Sequence, residues 1–354
     1  MIGLYVQEQF DAGDSFFATA GFRVDDHERF GAHTTFRIAP AFFINETGTK
    51  FKATYGTGFR APSLNQLWFN SVGIQFVIDP ATGELEPSRV LTANNKSTVT
   101  RAFGIPDLKE ETSLNISAGL IATPLTGLII SLDYYYITID DRVVLTSRFT
   151  DADSVVAKIL EPFASLGVSE VQFFANAVNT ETQGVELVAS YNMKAGEGLL
   201  KFTLSGYVGS TEVTAVNSPS SILEGFEETI FNREERNRLE DAVPQQKGIF
   251  AVTYRLNRFD VTGRINYFGE IFYKPTNPDN DEVFGAKTLL DLDVGYVVVP
   301  GFRLSVGGNN ILNTFPDEQQ KAANRSNERF VYSRRVTQYG MNGGFYYVRV
   351  SLSL

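Results

Sequence analysis

Apolar and polar residues alternate one by one along most of this chain. Between Leu290 and Tyr296, for example, apolar side chains take every second position, and Asp291, Asp293 and Gly295 lie between them. Because successive side chains of a β-strand point to opposite faces, a period of two predicts strands with one apolar and one polar face. The same alternation recurs in segments that begin near the following positions: Ser15, Phe51, Leu114, Ile130, Val185, Lys201, Asp260, Arg303 and Tyr346.

Strand length and loop length distinguish two kinds of antiparallel sheet, a soluble one and a membrane-spanning one. The predicted strands have about ten residues or more, near the ~9–11 that a tilted strand needs to cross a bilayer. Tight turns alternate with long connections, which is typical of outer-membrane barrels. Aromatic residues also cluster near strand ends, as in interfacial girdles. The long connections are predicted at 60–109, 141–182, 211–245, 272–285 and 312–343. We therefore predict an all-β fold, a transmembrane antiparallel β-barrel.

One uncharged stretch, Thr112 to Leu132, is long enough to be mistaken for a membrane helix. Its middle, Thr123 to Gly127, has the composition of a turn, and the flanks keep the period of two. We therefore predict two strands joined by a tight turn.

The pattern predicts about thirteen strands and also their direction. Short turns of such barrels lie in the periplasm and long loops lie outside. The first strand, about 2–11, and the last, about 344–354, then both run towards the periplasm. The segments predicted to lie outside carry a summed charge of −9, nearly all of the net −10 of the chain.

Composition excludes several classes of function. A net charge of −10 over 354 residues is the wrong sign for binding nucleic acid. Zero cysteines exclude a disulfide scaffold, a cysteine-ligated zinc site and thiol catalysis. Two histidines leave little for a histidine metal site. We expect neither a cofactor nor enzymatic activity, and the first residues do not form a signal peptide.

Two short motifs invite a chemical interpretation. Asp25 to Glu28 contains the carboxylates and histidine of a hydrolytic site, but it lies at a predicted outer hairpin, which favours a solvated loop tip. Gly56-Thr57-Gly58 resembles a nucleotide loop superficially. It lacks the third glycine and the helix that such loops need, so we expect glycines that relieve crowding at a strand end or bulge.

Three other segments of the outer loops stand out. Thr150 to Leu160 reads as a short helix capped by Thr150 or Asp151, which packs a loop over the barrel mouth or contacts a ligand. Asn232 to Asp241 is a mixed-charge run, usually a solvated face, with contact to a divalent cation or lipopolysaccharide as the alternative. The last outer loop is basic. Its candidate ligand-binding residues are Arg325, Arg329, Arg334 and Arg335. Arginine binds planar oxyanions well, so a ferric chelate or lipid phosphate would fit.

Several segments resemble the barrel of TonB-dependent outer-membrane receptors, in the order in which that family has them. They are Gly56 to Ser63 followed by Leu67, Asn176 to Glu186, Gly308 to Pro316, and Tyr339 to Tyr347. The resemblance spans essentially the whole chain, residues 1–354, as one barrel domain. It implies a 22-stranded barrel with a plugged lumen, of which these strands form the C-terminal part.

The resemblance also implies a function and partners. The family imports scarce nutrients, most often ferric siderophores, with energy from the inner-membrane TonB complex acting through an N-terminal plug. Lipid, lipopolysaccharide and the barrel-assembly machinery are the other implied partners. We expect neither a plug nor a TonB box in residues 1–354, and Leu354 stands where the family usually has an aromatic residue. A passive porin-like channel and an outer-membrane barrel enzyme remain alternatives.

Strand parity limits how these strands close. If strands 2–11 and 344–354 both run towards the periplasm, they would meet in parallel, whereas bacterial single-chain barrels close antiparallel with even strand numbers. We therefore expect both to be open edges that pair with further strands. We also expect residues 1–354 alone not to form a working transporter.

Overall fold

The fold is one broad antiparallel sheet with most of its irregular structure at one end. The computed structural model describes residues 2–78, 85–325 and 330–353. Thirteen strands follow one another across the sheet in chain order, as the sequence predicts. They are β1 (Ile2–Ala12), β2 (Phe16–His27), β3 (Gly31–Ile44), β4 (Thr49–Arg60), β7 (Glu111–Leu125), β8 (Leu128–Leu145), β10 (Glu170–Ala195), β11 (Gly198–Val216), β12 (Gln246–Leu256), β13 (Phe259–Phe268), β16 (Lys287–Val299), β17 (Phe302–Asn309) and β18 (Phe345–Leu352).

The remaining elements lie in the long connections at that end, except for the 3₁₀ turn Asn45–Thr47, which lies in the tight turn between β3 and β4. The short strands are β5 (Ser71–Ile78), β6 (Leu85–Ala93), β9 (Phe149–Thr150), β14 (Ile271–Tyr273) and β15 (Glu282–Phe284). The α-helices are α1 (Leu64–Trp68), α2 (Thr98–Ala102), α3 (Ser154–Leu160), α4 (Glu227–Ile230) and α5 (Arg233–Glu240). Single turns of 3₁₀-helix lie at Asn45–Thr47, Glu161–Leu166, Ser221–Leu223, Pro278–Asn280 and Ala322–Asn324. No helix in the described ranges is long and apolar enough to cross a membrane.

The tight turns at the opposite end lie where the sequence predicts them. The uncharged stretch forms β7 and β8, joined through Gly127, which has a φ of 86°. Gly301 has a φ of 83° between β16 and β17. Both values lie in the left-handed region that glycine enters without steric cost. Among the described residues, no strand pairs with the free edge of β1 or of β18, so the sheet is open at both edges.

The apolar positions of the alternating pattern form one exposed face of the sheet. Leu204 on β11 and Leu292 on β16 are each 42% exposed, and Val294 is 46% exposed. Such a continuous apolar face costs free energy in water but not in hydrocarbon. The sheet therefore carries the surface of a membrane-spanning barrel.

On the polar face, charged side chains from two strands pair over the strand that lies between them. The residue of that middle strand beneath the pair is a glycine. Gly119 on β7 lies opposite both Lys52 on β4 and Asp133 on β8. Lys52 Nζ lies 2.7 Å from Asp133 Oδ1, directly over Gly119. A Cβ at residue 119 would lie 2.1 Å from that oxygen, so only glycine leaves room for the ion pair.

The same arrangement recurs at the other side of the sheet. Tyr347 on β18 donates a hydrogen bond of 2.7 Å to Asp293 on β16 across Gly307 on β17. Arg303 reaches past Gly295 to Asp260, with 2.6 Å between Nη2 and Oδ2. These side-chain contacts over glycines connect alternate strands and hold the polar face together.

The structure corrects the predicted cap of α3 and confirms the predicted role of Gly58. The short helix α3 begins at Ser154, and its cap is Asp153, which accepts bonds from the N–H groups of the first turn; the predicted caps Thr150 and Asp151 are wrong. Asp153 is the N-cap because, of the three candidate residues, it alone immediately precedes the first turn of the helix. Gly58 lies within β4, where a Cβ would approach Ser113 Oγ to 2.8 Å, so the crowding interpretation is correct.

We predict that arginine on the apolar face impairs insertion. Leu204→Arg or Leu292→Arg should cost roughly 2–4 kcal/mol near the bilayer midplane, measured as the free energy of unfolding of the complete protein in lipid vesicles. Ser205→Arg, on the polar face of the same strand as Leu204, is the control and should be far milder. Equal costs at residues 204 and 205 would contradict the assignment of the two faces.

We also predict that Gly119→Ala breaks the ion pair between Lys52 and Asp133 that lies over residue 119. The new methyl group forces Asp133 away from Lys52, and the free energy of unfolding should fall by about 1–3 kcal/mol. The control is Gly206→Ala, because the nearest atom to a Cβ there is 3.9 Å away. The idea fails if both variants unfold at the same denaturant concentration.

Candidate functional site

The loops at the long-loop end fold into two main hydrophobic cores beside a small cluster of Leu67, Leu108 and Val143, and the larger core joins three connections. The rings of Phe103, Phe149 and Phe173 lie 4.9–5.9 Å apart at its centre. Ile230 and Phe231, from the connection that carries α4 and α5, are also buried in it. β10, with 26 residues, is longer than a membrane crossing requires, and its first half provides the floor of this core. The loops are therefore packed against one another.

The smaller core joins the last three long connections. Its members are Ala242, Ile271, Tyr273, Phe284 and Val336. Glu282, which is 8% exposed, adds a polar link to the last connection. Its carboxylate accepts hydrogen bonds from the N–H of Lys321 at 2.7 Å and from the amide of Asn324 at 2.8 Å. The last connection is thus anchored at two places, through Val336 in the core and through residues 321–324 at Glu282.

Helix α5 fastens these connections to one another. Asn232 caps the helix and accepts a 3.0 Å hydrogen bond from the N–H of Glu235. The buried Asn237 amide donates to the carbonyl of Phe272 and accepts from the N–H of Lys274, at 3.1 and 3.0 Å. An asparagine side chain therefore pairs with β14 as a neighbouring strand would.

Arg233 adds a charged link between α5 and the next connection. Its Nη1 lies 2.6 Å from Asp281 and 2.7 Å from the carbonyl of Pro275. The guanidinium lowers the pKa of the Asp281 carboxyl through its hydrogen bonds. The mixed-charge run Asn232 to Asp241 is therefore the polar link between loops, and the expectation of a merely solvated face is wrong. Its spacing could not reveal partners that lie some forty residues later in the chain.

A cavity of about 780 Å³ lies between the two loop cores. One wall is formed by the outer end of β8, with Arg142, and by the segment that follows β8, with Arg148. The other wall is the α4–α5 segment, and Arg335 of the last connection completes the lining. The volume lies within the range of small-molecule sites, ~300–1,000 Å³. Its charged lining residues are Arg142, Arg148, Arg238, Arg335, Glu228, Glu234 and Glu235.

Ion pairs order the charges on the α5 side of the cavity. Glu234 contacts Arg335 and lies 3.4 Å from Arg238, while Arg238 also lies 2.7 Å from Glu235. Burial raises the pKa of the Glu235 carboxyl, and Arg238 opposes that rise. Burial also raises the pKa of the Tyr273 phenol, with a further contribution from Glu234. The arginines can bind an oxyanion, but part of their charge is already paired.

Comparison with known proteins identifies the family. Residues 1–311 match the profile of the family described as TonB dependent receptor-like, beta-barrel. The chain belongs to this family. The exposed apolar face of its TonB-dependent receptor barrel therefore faces the lipid of the bacterial outer membrane, and the end with the two loop cores faces outside.

Solved structures share this fold over nearly the whole chain, and a relative found by sequence matches part of it. An iron-regulated outer membrane virulence protein of Vibrio cholerae is 25% identical over 139 residues, 39% of this chain and 18% of the relative. The siderophore receptor PirA of Acinetobacter baumannii (TM-score 0.65, 16% identity) matches 99% of this chain with 45% of its own. The ferric enterobactin receptor PfeA of Pseudomonas aeruginosa (TM-score 0.64, 13% identity) matches 99% with 44%. The chain thus spans less than half the length of these structures.

The four arginines that the sequence predicts to bind ligand do not all line the cavity. Arg335 lines it. Arg325 lies on its own connection, where Nε donates a 2.8 Å hydrogen bond to the carbonyl of Gln319. Arg334 does not line the cavity, and Arg329 lies outside the described residues. Sequence reasoning missed Arg142 and Arg148 and named Arg238 only as part of the mixed-charge run, because nothing local indicates that their loops converge.

The candidate hydrolytic motif does not assemble a site. The buried Asp25 pairs with Arg23 at 2.5 Å, while the ring of His27 packs against Phe30, with centroids 4.9 Å apart. His33 Nε2 lies 2.6 Å from Glu110 Oε1, on a different connection. Within the ranges that the structure describes, no three His, Cys, Asp or Glu side chains converge as a metal site would require.

We predict that Asn237→Ala releases β14 from α5. Two backbone groups of β14 then lose their partner, at a cost of about 1–3 kcal/mol, and hydrogen exchange at residues 271–284 should become faster. Gln245→Ala is the control, because Gln245 is exposed and makes one long contact of 3.4 Å to Glu240. Unchanged protection of these residues in the Asn237 variant would show that α5 does not hold β14.

Proposed function

We propose that the complete protein imports a ferric siderophore across the outer membrane, with energy from the TonB complex. The observation that carries this proposal is the arginine-bearing cavity of about 780 Å³, which opens among packed outer loops. Siderophore complexes are rich in oxygen atoms and often anionic, and guanidinium groups bind such oxygens through charge-assisted hydrogen bonds. The similarity to a siderophore receptor and to a ferric enterobactin receptor supports the same choice.

The proposal requires more strands than the thirteen seen here. β1 and β18 occupy the first and thirteenth places in an alternating sheet, so they run in the same direction. Antiparallel closure therefore needs an odd number of further strands between them. Open edges in hydrocarbon would leave backbone N–H and C=O groups unpaired, at several kcal/mol each. We propose that these strands, together with the plug, belong to the complete protein, and that the plug contacts TonB.

We predict that the arginines on the two cavity walls are needed for uptake. Arg142→Gln and Arg335→Gln in the full-length receptor should each reduce uptake of radioactive iron as a ferric siderophore roughly tenfold at low concentration, because each removes a charge-assisted contact worth ~1.5–3 kcal/mol. Arg325→Gln, a loop arginine bonded to its own connection, is the matched control and should transport normally.

The same assay separates the proposal from its alternatives. Collapse of the proton-motive force should abolish uptake by the wild-type receptor. Uptake that persists would favour a passive channel, and equal effects of the three arginine substitutions would remove the cavity from the transport route.

A further inference from the structure

Glu234 occupies the two arginines that a cargo would need on the α5 side of the cavity. Its carboxylate contacts Arg335 and lies 3.4 Å from Arg238. The side chain of Glu234 is only 14% exposed, whereas those of Arg335 and Arg238 are 51% and 41% exposed. The carboxylate is thus enclosed by the two guanidinium groups, which themselves remain accessible from the cavity.

Neither partner can easily move away from this contact. Glu234 lies in the first turn of α5, and that helix is fastened to β14 through Asn237. Arg335 precedes Val336, which is 4% exposed in the smaller loop core. An anionic cargo that binds on the α5 side therefore has to compete with a carboxylate that is already in place.

The two walls of the cavity make this competition selective. Arg148 on the β8 side already pairs with Glu170 at 3.3 Å, so Arg142 is the arginine that a cargo reaches there. A cargo with one anionic group can bind Arg142, but that contact does not offset the displacement of Glu234 on the α5 side. A cargo with several anionic groups can bind both walls, and its extra contacts offset the displacement. Specificity of this kind arises from an unfavourable contact imposed on the wrong ligand.

We propose that Glu234 is a specificity-determining residue, an internal anion that restricts the α5 side of the cavity to polyanionic cargo. The inference rests on the proposed function and extends it to the charge class of the chelate. Glu234 does not contact the cargo in its favoured position; it acts by holding Arg335 and Arg238.

The experiment measures binding to the full-length receptor in detergent by titration calorimetry. The probes are trianionic iron(III) tris-catecholate, neutral iron(III) tris-hydroxamate, and inorganic pyrophosphate as a polyanion without iron. Glu234→Gln should tighten binding of both polyanions about tenfold and leave the neutral chelate within about twofold. Glu224→Gln is the matched control: Glu224 is exposed on the same connection, does not line the cavity, and its substitution should leave the binding of all three probes unchanged.

A second pair of variants tests the route of the effect. Glu234→Asp keeps the charge and should bind like wild type, whereas Arg335→Gln should weaken polyanion binding and cancel most of the gain from Glu234→Gln in the double variant. These comparisons separate competition for arginine from a loss of fold.

The outcomes distinguish the two proposals. If the ferric chelates bind but Glu234→Gln binds polyanions no more tightly than wild type, the role of Glu234 is wrong and the import proposal stands. If neither chelate binds any form while pyrophosphate binds the glutamine variant more tightly, the import proposal fails and the role of Glu234 stands. Pyrophosphate binding that is equal or absent in both forms overturns the role of Glu234.

Discussion

The backbone hydrogen bonds of the membrane-spanning sheet are the constraint on which the rest of the structure depends. Hydrocarbon offers no partner for a free N–H or C=O group, so every such group within the bilayer must pair with a neighbouring strand. A regular antiparallel ladder satisfies this condition and fixes the side-chain period at two. The alternation of apolar and polar residues, the tight turns and the even spacing of strands are consequences of that requirement.

The outer end of the protein is free of this constraint and uses its residues differently. There the strands lengthen, loops pack into two cores, and polar side chains on α5, the charged Arg233 and the neutral Asn237, connect elements distant in sequence. The cavity lies where the two cores meet, so its shape depends on both. A site built in this way combines residues from several loops, and the rigid sheet beneath supports them.

The sequence predicts the sheet well and the site poorly, for a physical reason. A strand of alternating residues and a glycine turn such as Gly127 are local features, so thirteen strands and their turns follow from the pattern alone. The cavity depends on tertiary contacts: Arg142 and Arg335 are distant in sequence and meet only because the loop cores bring them together. The cap of α3 was missed by a smaller margin, since Asp153 and Asp151 are chemically equivalent and only backbone geometry chooses between them.

The most direct test of the account uses the absence of cysteines from residues 1–354, which permits single spin labels without background from this part of the protein. Labels placed one at a time from Asp291 to Tyr296 in the full-length receptor would report their accessibility to oxygen in lipid and to a water-soluble nickel complex. The account predicts that the two accessibilities alternate with opposite phase, with oxygen highest at Leu292 and Val294. Accessibilities that vary together, or with a period near that of a helix, would contradict a membrane-spanning sheet.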